Sequence, residues 1–131
     1  MRNAELFPRF MDQEDALELT REVTMGELEA TLKWFKKDKS LGWDGCSIEL
    51  YIDFFDILGT DLLKVIEDCC RNGKISIAIN STFIALIPKS DNPTTFNDFH
   101  PISLYNCIYK IIAKIIADRL KPILSSHISP E

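Results

Sequence analysis

FIALIPKSDNPTTFNDFHPISLYNCIYKIIAKIIADRLKPIL, residues 83–124, changes its hydrophobic period halfway along. With Thr82 ahead of it, the run to Ile87 is dense in β-branched and aromatic residues and predicts a buried strand that ends at Pro88-Lys89. A polar loop follows, then a second short extended run at His100–Ser103. This spacing sets Lys89 and His100 on opposite sides of one hairpin-like loop. After Asn106 the period becomes helical. At about 100° per residue, Ile108, Ile111, Ile112, Ile115 and Ile116 share a broad arc, with Lys110, Lys114 and Lys121 on a narrow opposite one. Such a helix packs on a core. Its lysines form either a solvated face or a basic stripe for a nucleic-acid backbone. Arg119 falls among the isoleucines. Either it meets a buried acceptor, or Pro122 breaks the helix and resets its phase. Pro122 equally suits the first turn of a further short helix, Ile123–Ile128.

Working outward, residues 1–19 show no clean period and read as a poorly determined leader, with residues 20–131 as the folded part. Thr24 and Glu27 form a T-x-x-E capping box opening a helix near 24–37. Ser47 caps a helix over Ile48–Leu58 that presents Leu50 or Tyr51, Phe54, Phe55 and Leu58. Gly59 breaks it, and Thr60 caps the next helix, near 61–72, with Leu62, Leu63, Val65, Ile66 and Cys69 inward. Asn72-Gly73 is a C-terminal stop, and Ile75–Ile79 is ambiguous. The fold class is α+β: mostly helical, with a small β-hairpin followed by a long amphipathic helix.

The composition suits one soluble domain. The chain has 131 residues and 46% apolar content, enough for a core. No apolar run reaches the roughly 20 residues of a membrane span, and Met1-Arg2-Asn3 is not followed by a signal-peptide core. Cys46, Cys69, Cys70 and Cys107 show no paired CxxC spacing, which argues against zinc and predicts reduced thiols in a cytoplasmic or nuclear protein. The net charge of −5 opposes a global attraction to phosphate. The imbalance is local: residues 1–81 hold 10 Lys/Arg against 16 Asp/Glu, whereas residues 82–131 hold 5 against 4.

Lys39-Ser40-Leu41-Gly42-Trp43-Asp44-Gly45 carries two glycines that permit positive φ and close approach to a ligand. Asp44-Gly45 favours a tight turn. By composition alone this is also an ordinary interhelical loop. No Walker motif and no HExxH occur, and Asp53/Asp56 and Glu67/Asp68 read as solvated carboxylates on helix faces. No catalytic and no metal-ligating residue is assigned.

Together, KSLGWDG, the strand ending in Lys89, and FHPIS at 99–103 make the chain resemble the N-terminal, fingers part of the reverse transcriptase of plant LINE-type (non-LTR) retrotransposons, over roughly residues 20–129. The resemblance implies an incomplete right-hand polymerase fold, a partial reverse transcriptase domain that stops before the palm strands with the catalytic aspartates. In the family the loop has the form KSPGPDG and lies against the template. Lys39, Ser40, Gly42, Asp44 and Gly45 match it, while Leu41 and Trp43 stand where prolines are usual. The family's FRPIS has Arg where this chain has His100. Lys89 and His100 are thereby implied to face the triphosphate, and Lys39, Ser40, Gly42, Asp44, Gly45, Lys110, Lys114 and Lys121 the nucleic acid.

The partners implied are an RNA template, a DNA primer and deoxynucleoside triphosphates, with Mg2+ expected only in a full-length enzyme. The isolated chain is expected to be inactive. A competing expectation is a non-catalytic relic or domesticated helical interaction domain. The resemblance also implies that the isoleucine stripe packs on palm strands, so part of it is expected to lack cover here and to promote self-association.

Overall fold

The computed structural model describes residues 11–35 and 45–127. The elements are α1 (Gln13–Thr20), α2 (Met25–Trp34), α3 (Ile48–Asp53), α4 (Phe55–Asn72), α5 (Ile77–Asn80), β1 (Thr82–Pro88), a 3-10 turn (Phe96–Asp98), β2 (Phe99–Tyr105) and α6 (Cys107–His127). The architecture is α+β, as the change of period predicts. Helices α1, α2, α4 and α5 gather around α6, and β1 and β2 form a two-stranded antiparallel sheet.

The core lies where α6 meets the other helices. Ile111, Ile112 and Ile115 are buried with Leu28 and Leu32 of α2, Ile48 of α3, and Leu62, Ile66 and Cys69 of α4. The isoleucine stripe is therefore mostly covered by this chain's own helices, so the part left without cover is small. Only Ile116 stays out, 45% exposed. Most helix starts are fixed by a polar cap, α4 excepted, whose N-cap is Phe54. Thr24, Ser47 and Ser76 accept from the amides of Glu27, Leu50 and Ile79. Asn106 does the same for α6: its Oδ1 accepts from Ile108 at 2.8 Å and its carbonyl from Lys110 at 3.1 Å.

Several local expectations are corrected. Residues 13–20 form a helix, with a reciprocal capping box between Asp12 and Asp15, and it packs on α6. Gly59 does not end a helix. It lies buried inside α4, where a Cβ would meet the Phe55 ring at 3.1 Å. Close approach of that ring, rather than a turn, is its local reason, and Thr60 is no cap. The break falls at Phe54 instead (φ −108°, ψ 25°), which leaves Phe54 exposed. Val65, expected inward, is 38% exposed because Leu62, Ile66 and Cys69 already fill the buried face of α4. Gly73 takes φ +61° as the stop of α4. The α6 helix runs through Pro122 to His127 without a second start.

The strand is not buried. Phe83 and Ile84 are 59% and 67% exposed, and Leu86, Ile87 and Ile102 are also open to solvent. The hairpin packs chiefly on itself and projects from the helical body.

Candidate functional site

The hairpin end is the best-defined candidate region. The register pairs Ile87 with His100 and Pro88 with Phe99, so Lys89 follows the last residue of β1 and His100 is the second residue of β2. The two are close in the ladder, as the spacing implied, and both are exposed. The Lys89 amide donates to Asp98 O at 2.7 Å, and its ammonium donates to Asn97 O at 2.7 Å. That lysine thus closes the loop of the hairpin.

Asp98 organises the same loop, a residue the sequence reading did not single out. Its carboxylate accepts from the Thr94 amide at 2.9 Å, the Thr95 amide at 2.8 Å and the Thr95 hydroxyl at 3.1 Å. These bonds, led by the Thr94 amide, lower its pKa below the ordinary aspartate value. The signal was present in T-x-x-D at Thr95–Asp98, a capping-box spacing. Phe96 sits at the tip, 88% exposed.

The three lysines of α6 have unlike surroundings. The Lys114 ammonium pairs with Asp118 at 2.6 Å and lies 4.0 Å above the Trp34 ring centroid. It is held in an ion pair and against an aromatic face, so it is not the free solvated charge that the wheel suggested. Lys110 is half-buried and Lys121 exposed. Tyr105 and Tyr109 stack beside the start of α6, with centroids 5.0 Å apart.

Of the loop at 39–45, Lys39, Ser40, Gly42 and Asp44 lie outside the described residues. Gly45 takes φ +74°, the left-handed conformation expected of a glycine at that turn.

Arg119 answers the question its position raised. It is 6% exposed and its guanidinium binds the Glu27 carboxylate in a fork, Nε to Oε1 at 2.9 Å and Nη2 to Oε2 at 2.7 Å. Its remaining N–H groups reach the carbonyls of Leu19, Arg21 and Glu22 at 3.2, 2.8 and 3.4 Å. Glu27 was expected to close a capping box with Thr24. Its amide does bond Thr24 Oγ1, but its side chain turns to Arg119 and Arg21 instead. The fork with Arg119 is the chief reason its carboxyl titrates below the usual range.

Glu67 was expected to be solvated, yet it accepts a hydrogen bond from the Val23 amide. Both carboxylates are structural ties between α6, α4 and the α1–α2 connection.

None of the four cysteines is in a disulfide. Burial raises the pKa of Cys69 and of Cys70. Among the described residues, no group of three or more His, Cys, Asp or Glu side chains could hold a metal ion, and no helix is long and apolar enough to cross a membrane.

No protein-family model matches the chain. It is similar to the transposon TX1 uncharacterized 149 kDa protein of Xenopus laevis, with 33% identity over 109 residues, 83% of this chain and 8% of that protein. The chain is thus related to a transposon-encoded protein and spans under a tenth of that relative's length.

Proposed function

We propose that the chain is a piece of the reverse transcriptase of a non-LTR retrotransposon, with the β1–β2 hairpin as a fingers element on the triphosphate side. The observation that carries this reading is the exposed end of the hairpin, where Lys89 follows β1 and His100 pairs with Ile87, two residues before Lys89, within a chain related to a transposon protein over 83% of its length. Transfer to a primer hydroxyl builds negative charge on the outer phosphates, and cations beside them lower its energy. Lys89 supplies one such cation. His100 lacks the planar guanidinium fork of an arginine, so it supplies a single hydrogen bond rather than a bidentate clamp. The template side falls to Gly45 and the loop before it, with Lys110 and Lys121 beyond. Carboxylates that would bind magnesium must come from a palm.

The test is a chimera in which residues 20–129 replace the matching segment of an active non-LTR reverse transcriptase. Magnesium-dependent primer extension on a poly(A) template is then measured. Incorporation above that of the palm without fingers is expected, and none from the isolated chain. A folded chimera that stays inert both with His100 and with His100→Arg would overturn the reading.

A second reading, a non-catalytic relic or domesticated helical domain, is favoured by one observation: Ile111, Ile112 and Ile115 are covered by the chain's own helices. It predicts a cooperatively unfolding free chain with no affinity for RNA.

A further inference from the structure

The two edges of the hairpin differ in a way that points to a partner. Lys89 N–H donates to Asp98 O, so 89 and 98 form a hydrogen-bonded pair of the antiparallel ladder. Such pairs alternate with pairs whose N–H and C=O groups face away from the partner strand. Counting back along β1, Ile87, Ala85 and Phe83 bond to β2, whereas Leu86, Ile84 and Thr82 turn theirs to the outer edge. The register sets Leu86 opposite Pro101. A proline has no N–H to give, so it fits only an outward position, and this agrees with the count.

The outer edge of β2 is therefore interrupted at Pro101, between Phe99 and Ser103, whereas that of β1 offers the donors and acceptors of Thr82, Ile84 and Leu86 in succession. The Thr82–Ile87 segment is uncharged, contains no glycine or proline, and consists of residues apt for strands apart from Ala85. Its side chains are largely exposed. Natural sheets protect such an edge with charge, proline or a cover. Here β2 has its proline, and β1 has no such device between Thr82 and Ile87.

We propose that β1 pairs antiparallel with β1 of a second copy of this chain across a two-fold axis at Ile84, forming one four-stranded sheet. A symmetric interface must be self-complementary, and this one is. Ile84 faces its own symmetry mate, and Thr82 faces Leu86 of the other copy, on one side of the sheet. On the other side, Phe83 faces Ala85 of the other copy. No charge from Thr82 to Ile87 opposes its own image. The antiparallel arrangement sends the two helical bodies to opposite ends of the sheet. With β1 used up and the β2 edge interrupted by Pro101, growth stops at two chains.

Sedimentation velocity over a concentration series tests this on the 131-residue chain. The expected result is a dimer that dissociates on dilution. Ile84→Pro removes an outward N–H and no bond to β2, so it should leave a monomer. Ser103→Pro does the same on the β2 edge and should leave the dimer intact. Far-UV circular dichroism of both variants establishes that they fold, and if Ile84→Pro fails to fold, Ile84→Lys serves in its place. A wild-type chain that stays monomeric at every concentration overturns the proposal, because the edge is then left for some other cover, such as a further part of a longer protein. It is overturned equally by open-ended assembly, or by a dimer lost in Ser103→Pro and kept in Ile84→Pro.

Discussion

Arg119→Met should be among the most damaging single changes in this chain. Methionine keeps the apolar stem packed beside α6 and removes the guanidinium. Glu27 then loses its forked partner, and the carbonyls of Leu19, Arg21 and Glu22 lose their donors. Breaking a buried ion pair from one side costs about 3–5 kcal/mol, because the charge left behind is uncompensated. Arg21 still reaches Glu27 at 3.1 Å from an exposed position, which sets the expectation at the lower end, about 3 kcal/mol. Domains of this size have roughly 5–15 kcal/mol in total, so the loss is a large share. In urea, with a slope of about 1–3 kcal/mol per molar, the midpoint should fall by about 1–3 M. The assay is equilibrium unfolding followed by circular dichroism. Glu27→Leu combined with Arg119→Met should be less damaging than the two single losses added together, since the two groups act as a unit. A midpoint shift below about 0.5 M, or simple additivity, would refute the account of Arg119 as the tie between α6 and the α1–α2 connection.

Glu27 also gives the stability a pH dependence. Its folded pKa is depressed, so its contribution is fully present above the unfolded carboxylate value, about 4.3, and is lost as pH falls through the folded value; Glu27→Gln should flatten the urea midpoint against pH in that acidic window. Gly73→Ala should cost about 1–2 kcal/mol, because φ is +61° there, and thermal unfolding would read it as a lowered Tm. In the chimera with an intact palm, His100→Arg should lower the KM for the triphosphate, since charge-assisted hydrogen bonds are worth about 1.5–3 kcal/mol, whereas equal KM and kcat in steady-state kinetics would mean that position 100 does not touch it.

What was legible followed from period and punctuation. The switch from strand to helical spacing at Asn106 located both β1 and α6, and Asn106 proved to be the residue whose side chain starts the helix. Thr24, Ser47 and Gly73 marked their ends because capping is local chemistry. The failures were tertiary. Gly59 looks like a stop until Phe55 is known to lie across it. Glu27 looks like a capping-box partner until Arg119 arrives from 92 residues away. The β1 segment looks like a core strand because apolar content cannot distinguish burial by the chain itself from burial by something else. Of the candidate site, the adjacency of Lys89 and His100 was legible from loop length; the role of Asp98 in shaping that loop was written in Thr95–Asp98 and overlooked. The pairing of Lys114 with Asp118 was open to inspection at i,i+4, whereas its contact with Trp34 was not.

The loop geometry also bears on how Lys89 would serve a triphosphate. Its ammonium is already donating to Asn97 O, and a lysine has three donors to direct. A phosphate oxygen approaching the hairpin end can be met in two ways. If the bond to Asn97 is kept, the remaining N–H groups bind the phosphate and the lysine arrives already oriented, which favours binding by sparing side-chain entropy. If the bond is broken, the phosphate contact yields only the difference between the two, and the loop loses one of its ties. The first route is cheaper because Asp98 holds Thr94 and Thr95 independently of Lys89, so the Asn97 carbonyl does not move when the lysine acquires a second partner. In the proposed fingers role, then, the aspartate shapes the loop and the lysine meets the charge. Neither can do the other's part, because a carboxylate facing the triphosphate would repel it.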